Sequence, residues 1–380
     1  MSDKNNRYIA TFILHALGDT IGFKNGEWEF NYDNKHADYR TTLVIVFDFI
    51  ALGGITNISL KDWLISDDTL FHLSIAESLL KVNLKDKLTD NQIKEIRDCM
   101  VKTLEDIEID DKKNIFRGVG RATVYSLKNK DVPFFALGGN GVAMRSLCIG
   151  LAYHKTKDIN KLVEYSIETG KLTHKNPIGY LGGLTTAYFT HLAINNIKLE
   201  LWPLKLIELV ESPIVEKYID KNNFEIYSNY RLFISLWKKY IELRFKPGEK
   251  KDNLEPIYTN SHKNLISRTK FFYDFKFNYD DYEFIPTSQR EGEAYNTIGG
   301  SGVTAVLMAY DALLDAGDNW EKLIYYAMLH VGDSDTVGAI AGGLYGAIYG
   351  LDKVPNRLLD NIEKKDEIIE MSKKIYKKYN

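Results

Sequence analysis

The residues best suited to chemistry stand in two short acidic runs, Ser66-Asp67-Asp68-Thr69 and His330-Val331-Gly332-Asp333-Ser334-Asp335-Thr336. Each stands at the head of an apolar stretch. Leu70, Leu73, Ile75, Ala76, Leu79 and Leu80 follow the first at helical spacing, and Val337–Tyr349 follow the second. A helix starting near Asp335 brings the hydroxyl of Thr336 and both carboxylates together at its N-terminus. That is a set of hard oxygen donors, the kind Mg²⁺ or Ca²⁺ prefers. Taken singly, each run also reads as an ordinary cap, because Ser and Asp are common N-caps and acids are favoured in a first turn. Two clusters built alike and far apart in sequence argue for more. Four carboxylates that converge need a cation.

Other stretches carry weaker chemical signals. Leu137-Gly138-Gly139-Asn140-Gly141-Val142-Ala143-Met144-Arg145 is a glycine-rich loop opening an apolar segment. Exposed backbone N–H groups at a helix N-terminus make a nest for a phosphate or diphosphate. The spacing is neither that of a Walker loop nor of a dinucleotide fingerprint, and close helix packing would use the same glycines. Thr173-His174-Lys175-Asn176-Pro177 reads as a helix end, a turn and a new start, with Asn176 as cap and Pro177 in the first turn. His330 suits either a hydrogen bond behind the acids or a core position. Gly299-Gly300-Ser301-Gly302 reads as a plain inter-helix turn. Asp19 falls among apolar residues, where a carboxylate is costly unless paired or metal-bound.

The elements that position these residues are helical. Apolar periodicity marks helices at about 7–23, 69–82, 89–107, 114–127, 142–154, 158–170, 178–195, 201–219 and 227–243, and again at about 303–316, 319–330, 335–349 and 356–378. Residues 24–40 read as a polar loop, and the β-branched run Leu43-Val44-Ile45-Val46-Phe47 as a short strand. Strands do not alternate with helices, which excludes a doubly wound sheet. The stretch 245–300, rich in Lys, Asn and Tyr, reads as an excursion: a wall of the binding site or a peripheral hairpin. No Pro/Ser linker divides the chain. The expectation is an all-α, compact single-domain multi-helix bundle over residues 1–380.

Composition narrows the function further. A formal net charge of −3, with no basic stripe among aromatics, gives no basis for nucleic-acid binding. Cys99 and Cys148 are too few for a disulfide framework, which suits a reducing cytoplasm. The apolar helix near the N-terminus contains His15 and Asp19 and lacks a small-residue cleavage site, so neither a signal peptide nor a membrane span is expected.

Taken together these motifs resemble the ADP-ribosyl-acceptor hydrolase superfamily, and within it the ADP-ribosylarginine hydrolases most. The likeness rests on Gly18-Asp19-Thr20-Ile21-Gly22, Asn25-Gly26-Glu27-Trp28-Glu29-Phe30 and Trp63-Leu64-Ile65-Ser66-Asp67-Asp68-Thr69. It continues through Gly138–Arg145, Thr173-His174 with Pro177-Ile178-Gly179-Tyr180-Leu181-Gly182, Ala309-Tyr310-Asp311-Ala312 and Gly332–Thr336, in the family's order across nearly the whole chain. The resemblance implies an all-α domain with two Mg²⁺ ions in a cleft, held by Ser66, Asp67, Asp68, Asp333, Asp335 and Thr336. It further implies that Gly139, Asn140, Gly141 and Met144 cradle the diphosphate and ribose of ADP-ribose, with His174 lining the same cleft. Glu29 falls where relatives carry an acid on a loop near the metals. The ions are expected to grip the terminal ribose and position the attacking water, and Asp68 or Glu29 to handle the proton.

The chain departs from arginine-type relatives at Val303-Thr304, where His-Asp is usual and where the acceptor would be recognised, and at Val331, where Gly is customary. The resulting expectation is a monomeric, cytoplasmic, Mg²⁺-dependent enzyme. It would remove mono-ADP-ribose from arginine side chains of modified proteins and release free ADP-ribose. The alternatives are a hydrolase of another linkage, such as ADP-ribosyl-serine or a small-molecule conjugate, or a non-catalytic ADP-ribose binder.

Overall fold

A computed structural model describes residues 4–30, 41–85, 87–248, 254–257, 264–275 and 298–380. The chain opens with α1 (Lys4–Phe23), then α2 (Thr42–Ala51) and the single turn α3 (Gly54–Asn57). The helices α4 (Asp67–Lys81), α5 (Asp90–Asp111), α6 (Arg121–Leu127), α7 (Leu147–Ala152), α8 (Ile159–Lys171) and α9 (Pro177–Ile194) follow. Next come α10 (Trp202–Val210), α11 (Pro213–Glu216) and α12 (Phe224–Arg244). A two-stranded antiparallel ladder pairs β1 (Phe245–Pro247) with β2 (Leu254–Pro256), Phe245 opposite Pro256, and α13 (Leu265–Asp274) succeeds it. The last helices are α14 (Thr304–Ala316), α15 (Trp320–Ala327), α16 (Ser334–Tyr349), α17 (Asn356–Asp360) and α18 (Lys365–Tyr379). The all-α expectation holds.

Helices α1, α9, α14 and α16 and the short α7 are buried almost all round, as helices at the centre of a large core must be. The most extensive pairing is between α1 and α16, and glycine makes it possible. A Cβ added at Gly18 would stand 2.0 Å from the Gly338 carbonyl oxygen, and one at Gly342 would stand 2.1 Å from that of Leu14. Both lie far inside van der Waals contact, so the two backbones touch directly. This close approach puts Asp19 of α1 beside the start of α16, where Ser334 donates its hydroxyl hydrogen bond to the Gly22 carbonyl at 2.8 Å.

The helix starts follow local chemistry. Ser66 caps α4 by accepting from Asp68 N–H at 3.1 Å, and Thr89 with Gln92 forms a reciprocal capping box on α5. Asn176 caps α9 with Pro177 in its first turn, as the sequence implies. Some expectations on elements fail, and 356–378, read as one helix, is the pair α17 and α18. Leu43–Phe47 is not a strand but lies within α2, where Thr42, Ile45 and Phe49 are buried on one face. An apolar outer face hides that 3.6-residue period and leaves only the β-branched signal. The stretch 142–154 is helical only over α7; residues 141–145 are turns, so the glycine loop does not open directly onto a helix.

The excursion is rooted in a buried ion network. Arg244, at the end of α12, donates to Asp311 at 2.6 Å and to Asp315 at 2.9 Å. Arg268 of α13 donates to the same two carboxylates, and Tyr240 donates to Asp311 at 2.6 Å. Burial pushes the Asp311 carboxyl up, but Arg268 and Arg244 outweigh it and hold the group at about 2. Asp311 of the Ala309–Ala312 motif is therefore a structural anchor. Within 24–40 and 245–300, residues 31–40, 249–253, 258–263 and 276–297 lie outside the described residues, and the readings made there extend no further. Among the described residues no helix is long and apolar enough to cross a membrane.

Candidate functional site

The two acidic clusters meet. Asp68, in the first turn of α4, accepts a hydrogen bond from the Thr336 hydroxyl at 3.2 Å through Oδ1. Ser66, Asp67, Asp68, Asp333, Asp335 and Thr336 are all buried. Glu29, from the segment after α1, joins them: one carboxylate oxygen each from Glu29, Asp333 and Asp335 lie within 4.8 Å of one another. Glu29 is the partly exposed acid of the group, so the cluster reaches solvent on its side.

Asp19 and Asp333 tie the two acidic runs to their surroundings. Asp19 accepts from the Ser66 N–H, at 3.1 Å to each of its oxygens, from the Thr69 N–H at 3.2 Å and from the Thr69 hydroxyl at 2.5 Å. Its carboxylate therefore answers the positive end of α4 and fixes the Ser66–Thr69 run against α1. Burial raises the Asp19 carboxyl to about 6, while the bonds from Thr69 and Ser66 pull it down. Opposite it, Asp333 precedes α16 without capping it by its side chain. Its Oδ2 instead accepts from the Asn140 side-chain amide at 2.8 Å, and that amide also donates to the Gly299 carbonyl at 2.8 Å.

The glycine loops are one structure. Gly139 pairs with Ser301 in an antiparallel bridge, where Asn140 N–H donates to Gly300 O at 3.2 Å and Gly302 N–H to Gly138 O at 3.1 Å. The Gly299–Gly302 stretch is thus the partner of the Gly138–Asn140 stretch, not a plain turn. Met144 is buried, and its carbonyl meets His15 Nε2 at 2.8 Å. Val303 and Thr304 are buried, and the Thr304 hydroxyl sits 2.9 Å from that of Ser301. His330 is a core residue: Nδ1 accepts from Gly332 N–H at 3.1 Å, and burial lowers its pKa to about 4.

His174 lies behind the loop. It is buried, and a Cβ built at Gly141 would stand 2.8 Å from its Cε1 and 3.2 Å from its Nε2. Arg145 donates through Nη2 to Thr173 Oγ1 at 2.7 Å. The same hydroxyl lies 2.8 Å from His174 Nδ1, and with one hydrogen and two lone pairs it can donate to the ring or accept from it. Nε2 faces the loop. Burial, followed by the Arg145 charge, lowers this imidazole to about 3, so it is neutral.

The electrostatics ask for a cation. Burial first, and then mutual repulsion, raises Asp67, Asp68, Asp335 and Glu29 well above the ordinary carboxylate range; Arg145 offsets Asp67 in part. Asp68 Oδ2 is buried without a hydrogen-bond partner. An orphaned carboxylate oxygen among hard donors fits a divalent metal ion. Sequence reasoning found the two clusters and Glu29. It did not find the work of Asp19, of Asn140 as the clamp on Asp333, or of Arg145 and Thr173 behind His174, although Asp19 stood out as a buried charge.

The sequence profile of the ADP-ribosylglycohydrolase family matches residues 1–380. The chain is 32% identical over 395 aligned positions to ADP-ribosylhydrolase ARH1 of Dictyostelium discoideum, covering 96% of this chain and 92% of that protein. It is 24% identical to ADP-ribosylhydrolase ARH3 of Xenopus tropicalis over 57% of this chain and 53% of that one. A solved ADP-ribosylglycohydrolase-related protein complex shares the fold, with a TM-score of 0.56 at 18% identity and full coverage of both chains.

Proposed function

This chain belongs to the ADP-ribosylglycohydrolase family, and from that premise we propose that it hydrolyses the N-glycosidic bond between ADP-ribose and arginine side chains of mono-ADP-ribosylated proteins, with two Mg²⁺ ions as cofactor. The coarser statement, a hydrolase of ADP-ribosyl linkages, follows from membership. The likeness of the Gly18–Gly22, Asn25–Phe30 and Gly138–Arg145 motifs to arginine-type hydrolases supports the arginine linkage. The observation that carries the reading is the meeting of Asp68 and Thr336 with Asp68 Oδ2 left unpartnered, which suits a shared cation site.

Ser66, Asp67, Asp68, Asp333, Asp335 and Thr336 would hold the ions, with Glu29 at the edge. Bound there, divalent cations supply positive charge that balances the carboxylates, orients the terminal ribose and acidifies nearby water. The rest of the work falls to the protein. Asp19 and Asn140 keep the two acid runs in register. The neutral His174 turns Nε2 toward the Gly139–Gly141 loop, where the diphosphate or ribose would lie. Hydrolysis gives hydroxyl to the anomeric carbon and a proton to the departing guanidine nitrogen. Glu29 is the acid placed to pass that proton, because it stands at the edge of the cluster and is partly open to solvent. Asp68 is less suited, being buried and engaged with Thr336.

The test is release of ADP-ribose from proteins modified on arginine and, separately, on serine, first with Mg²⁺ and then with excess chelator. The expected result is Mg²⁺-dependent release from arginine alone. Release from serine alone would replace the linkage, and binding of ADP-ribose with no release would make the protein a binder.

A further inference from the structure

We propose that Arg117 and Glu363 are positioning residues for the first acidic run, fixing the backbone of Asp67 so that its carboxylate is held where a divalent cation would bind. This rests on the metal-dependent reading above. The N–H groups of Leu64–Thr69, the turn that leads into α4, have no acceptor within that helix. Asp19 takes those of Ser66 and Thr69, Ser66 Oγ takes that of Asp68, and Asn25 Oδ1 takes that of Leu64 at 2.8 Å. The remaining two, those of Ile65 and Asp67, fall to Glu363 and Arg117.

The pair closes a ring around Ile65. Glu363 Oε2 accepts from the Ile65 N–H at 2.9 Å, and Arg117 Nη1 donates to the Ile65 carbonyl at 2.8 Å. Arg117 Nη1 and Nη2 also donate to the two Glu363 oxygens at 2.7 and 2.9 Å, a bidentate pairing, and Nε donates to Asp110 at 2.9 Å. With its guanidinium tied in this way, Arg117 presents its own carbonyl to the Asp67 N–H at 2.8 Å. The next residue, Gly118, lays the same turn against the acids. Its φ is +77°, and a Cβ built there would stand 3.8 Å from Asp67 Oδ1 and 3.4 Å from Glu29 Oε2. A shift of Arg117 therefore reaches Asp67 through a hydrogen bond and Glu29 through direct proximity.

The chemistry of the pair favours geometry over stability. The Arg117 side chain is 4% exposed and that of Glu363 26%, and taking such charges out of water offsets much of their attraction. What a guanidinium and a carboxylate do supply is a planar, two-point hold that fixes direction as well as distance. Glu363 stands 298 residues beyond Ile65, in the turn between α17 and α18, so it ties the start of the C-terminal helix to the acidic run. Neither residue belongs to a motif that suggested chemistry.

The experiment titrates the substrate-free protein with Mg²⁺ by calorimetry, beside urea unfolding, for wild type, Glu363→Ala, Glu363→Gln and Tyr8→Phe. Glu363→Ala frees both the Ile65 N–H and Arg117, and Mg²⁺ affinity should fall about tenfold, as when a partner behind a metal ligand is removed. Glu363→Gln keeps an oxygen for the Ile65 N–H and should lose less. Tyr8→Phe controls for stability alone. It removes a buried hydroxyl that donates to the Leu151 carbonyl at 2.6 Å, about three turns before Asp19 on α1, so the midpoint should drop while Mg²⁺ affinity stays at the wild-type value. Unchanged affinity in Glu363→Ala, or an equal loss in Tyr8→Phe, overturns the proposal. Should Glu363→Ala not fold, Arg117→Lys decides in its place: an ammonium cannot reproduce the two-point hold, so weaker Mg²⁺ binding is expected, and wild-type affinity overturns the proposal. If wild type itself binds no Mg²⁺, the metal reading has failed and the positioning role falls with it; wild-type binding beside unchanged variants removes the positioning role alone.

Discussion

Asp19→Ala removes the carboxylate that holds the first acidic run, and the structure allows its cost to be worked out. Three buried donors lose their acceptor: the N–H groups of Ser66 and Thr69 and the Thr69 hydroxyl. Each orphaned donor costs about 1–3 kcal/mol. Part of that is returned because a buried carboxylate is itself expensive, as its raised pKa shows. A net loss of about 3–5 kcal/mol is expected. Asp19→Asn keeps one amide oxygen for the helix terminus and should lose about half as much. The assay is urea unfolding of both variants beside wild type, coupled to calorimetric titration with Mg²⁺. Because Asp19 orients Ser66, Asp67 and Asp68 without itself being a proposed ligand, both variants should also bind Mg²⁺ more weakly, Ala more than Asn. An Ala variant with the wild-type midpoint and wild-type affinity would refute the reasoning.

Three further outcomes follow from the geometry. Thr173→Val cuts the link between Arg145 and His174; it should cost about 1–3 kcal/mol, raise KM more than it lowers kcat, and shift the nitrogen NMR signal of His174 Nδ1, which loses its hydroxyl partner. Gly342→Ala puts a methyl group 2.1 Å from the Leu14 carbonyl, so α1 and α16 must part; a loss of about 1–3 kcal/mol or more, together with slower ADP-ribose release, is expected in thermal unfolding and activity assays. The carboxyls of Asp67, Asp68, Asp335 and Glu29 are raised in the folded state, so without cation they favour the fold below the ordinary carboxylate range and oppose it as pH rises through their raised values. A divalent cation competes with those protons. The Mg²⁺-induced rise in melting temperature should therefore grow from about pH 5 to about pH 8, and a rise that stays flat would contradict the assignment.

Much of the site was legible because its signals are local. Ser66 and Asn176 are caps, and caps are read from a few neighbouring residues. The paired acids announce themselves by type alone, whatever fold carries them. What the sequence hid is non-local or masked. The bridge between Gly139 and Ser301 joins loops far apart in the chain, and nothing in either glycine run names the other. Arg145 and Thr173 act through His174 across a turn, a relation only distances reveal. On α2 the exposed Val44, Phe47 and Ile50 erase the contrast between faces on which periodicity depends, so a helix reads as a strand. The stretch 201–219 reads as one helix but is two, because Pro213 lacks the N–H that would continue α10.

The central claim is that the convergent acids of α4 and α16 hold the divalent ions on which hydrolysis depends. The most direct measurement follows ADP-ribose release while Mg²⁺ is returned to chelator-stripped protein, for wild type and for Asp335→Asn. The expected result is a saturable return of activity in wild type and none in the variant at the same Mg²⁺ concentrations, with both still folded. Full-rate release in excess chelator, or an Asp335→Asn enzyme as active as wild type, would contradict it.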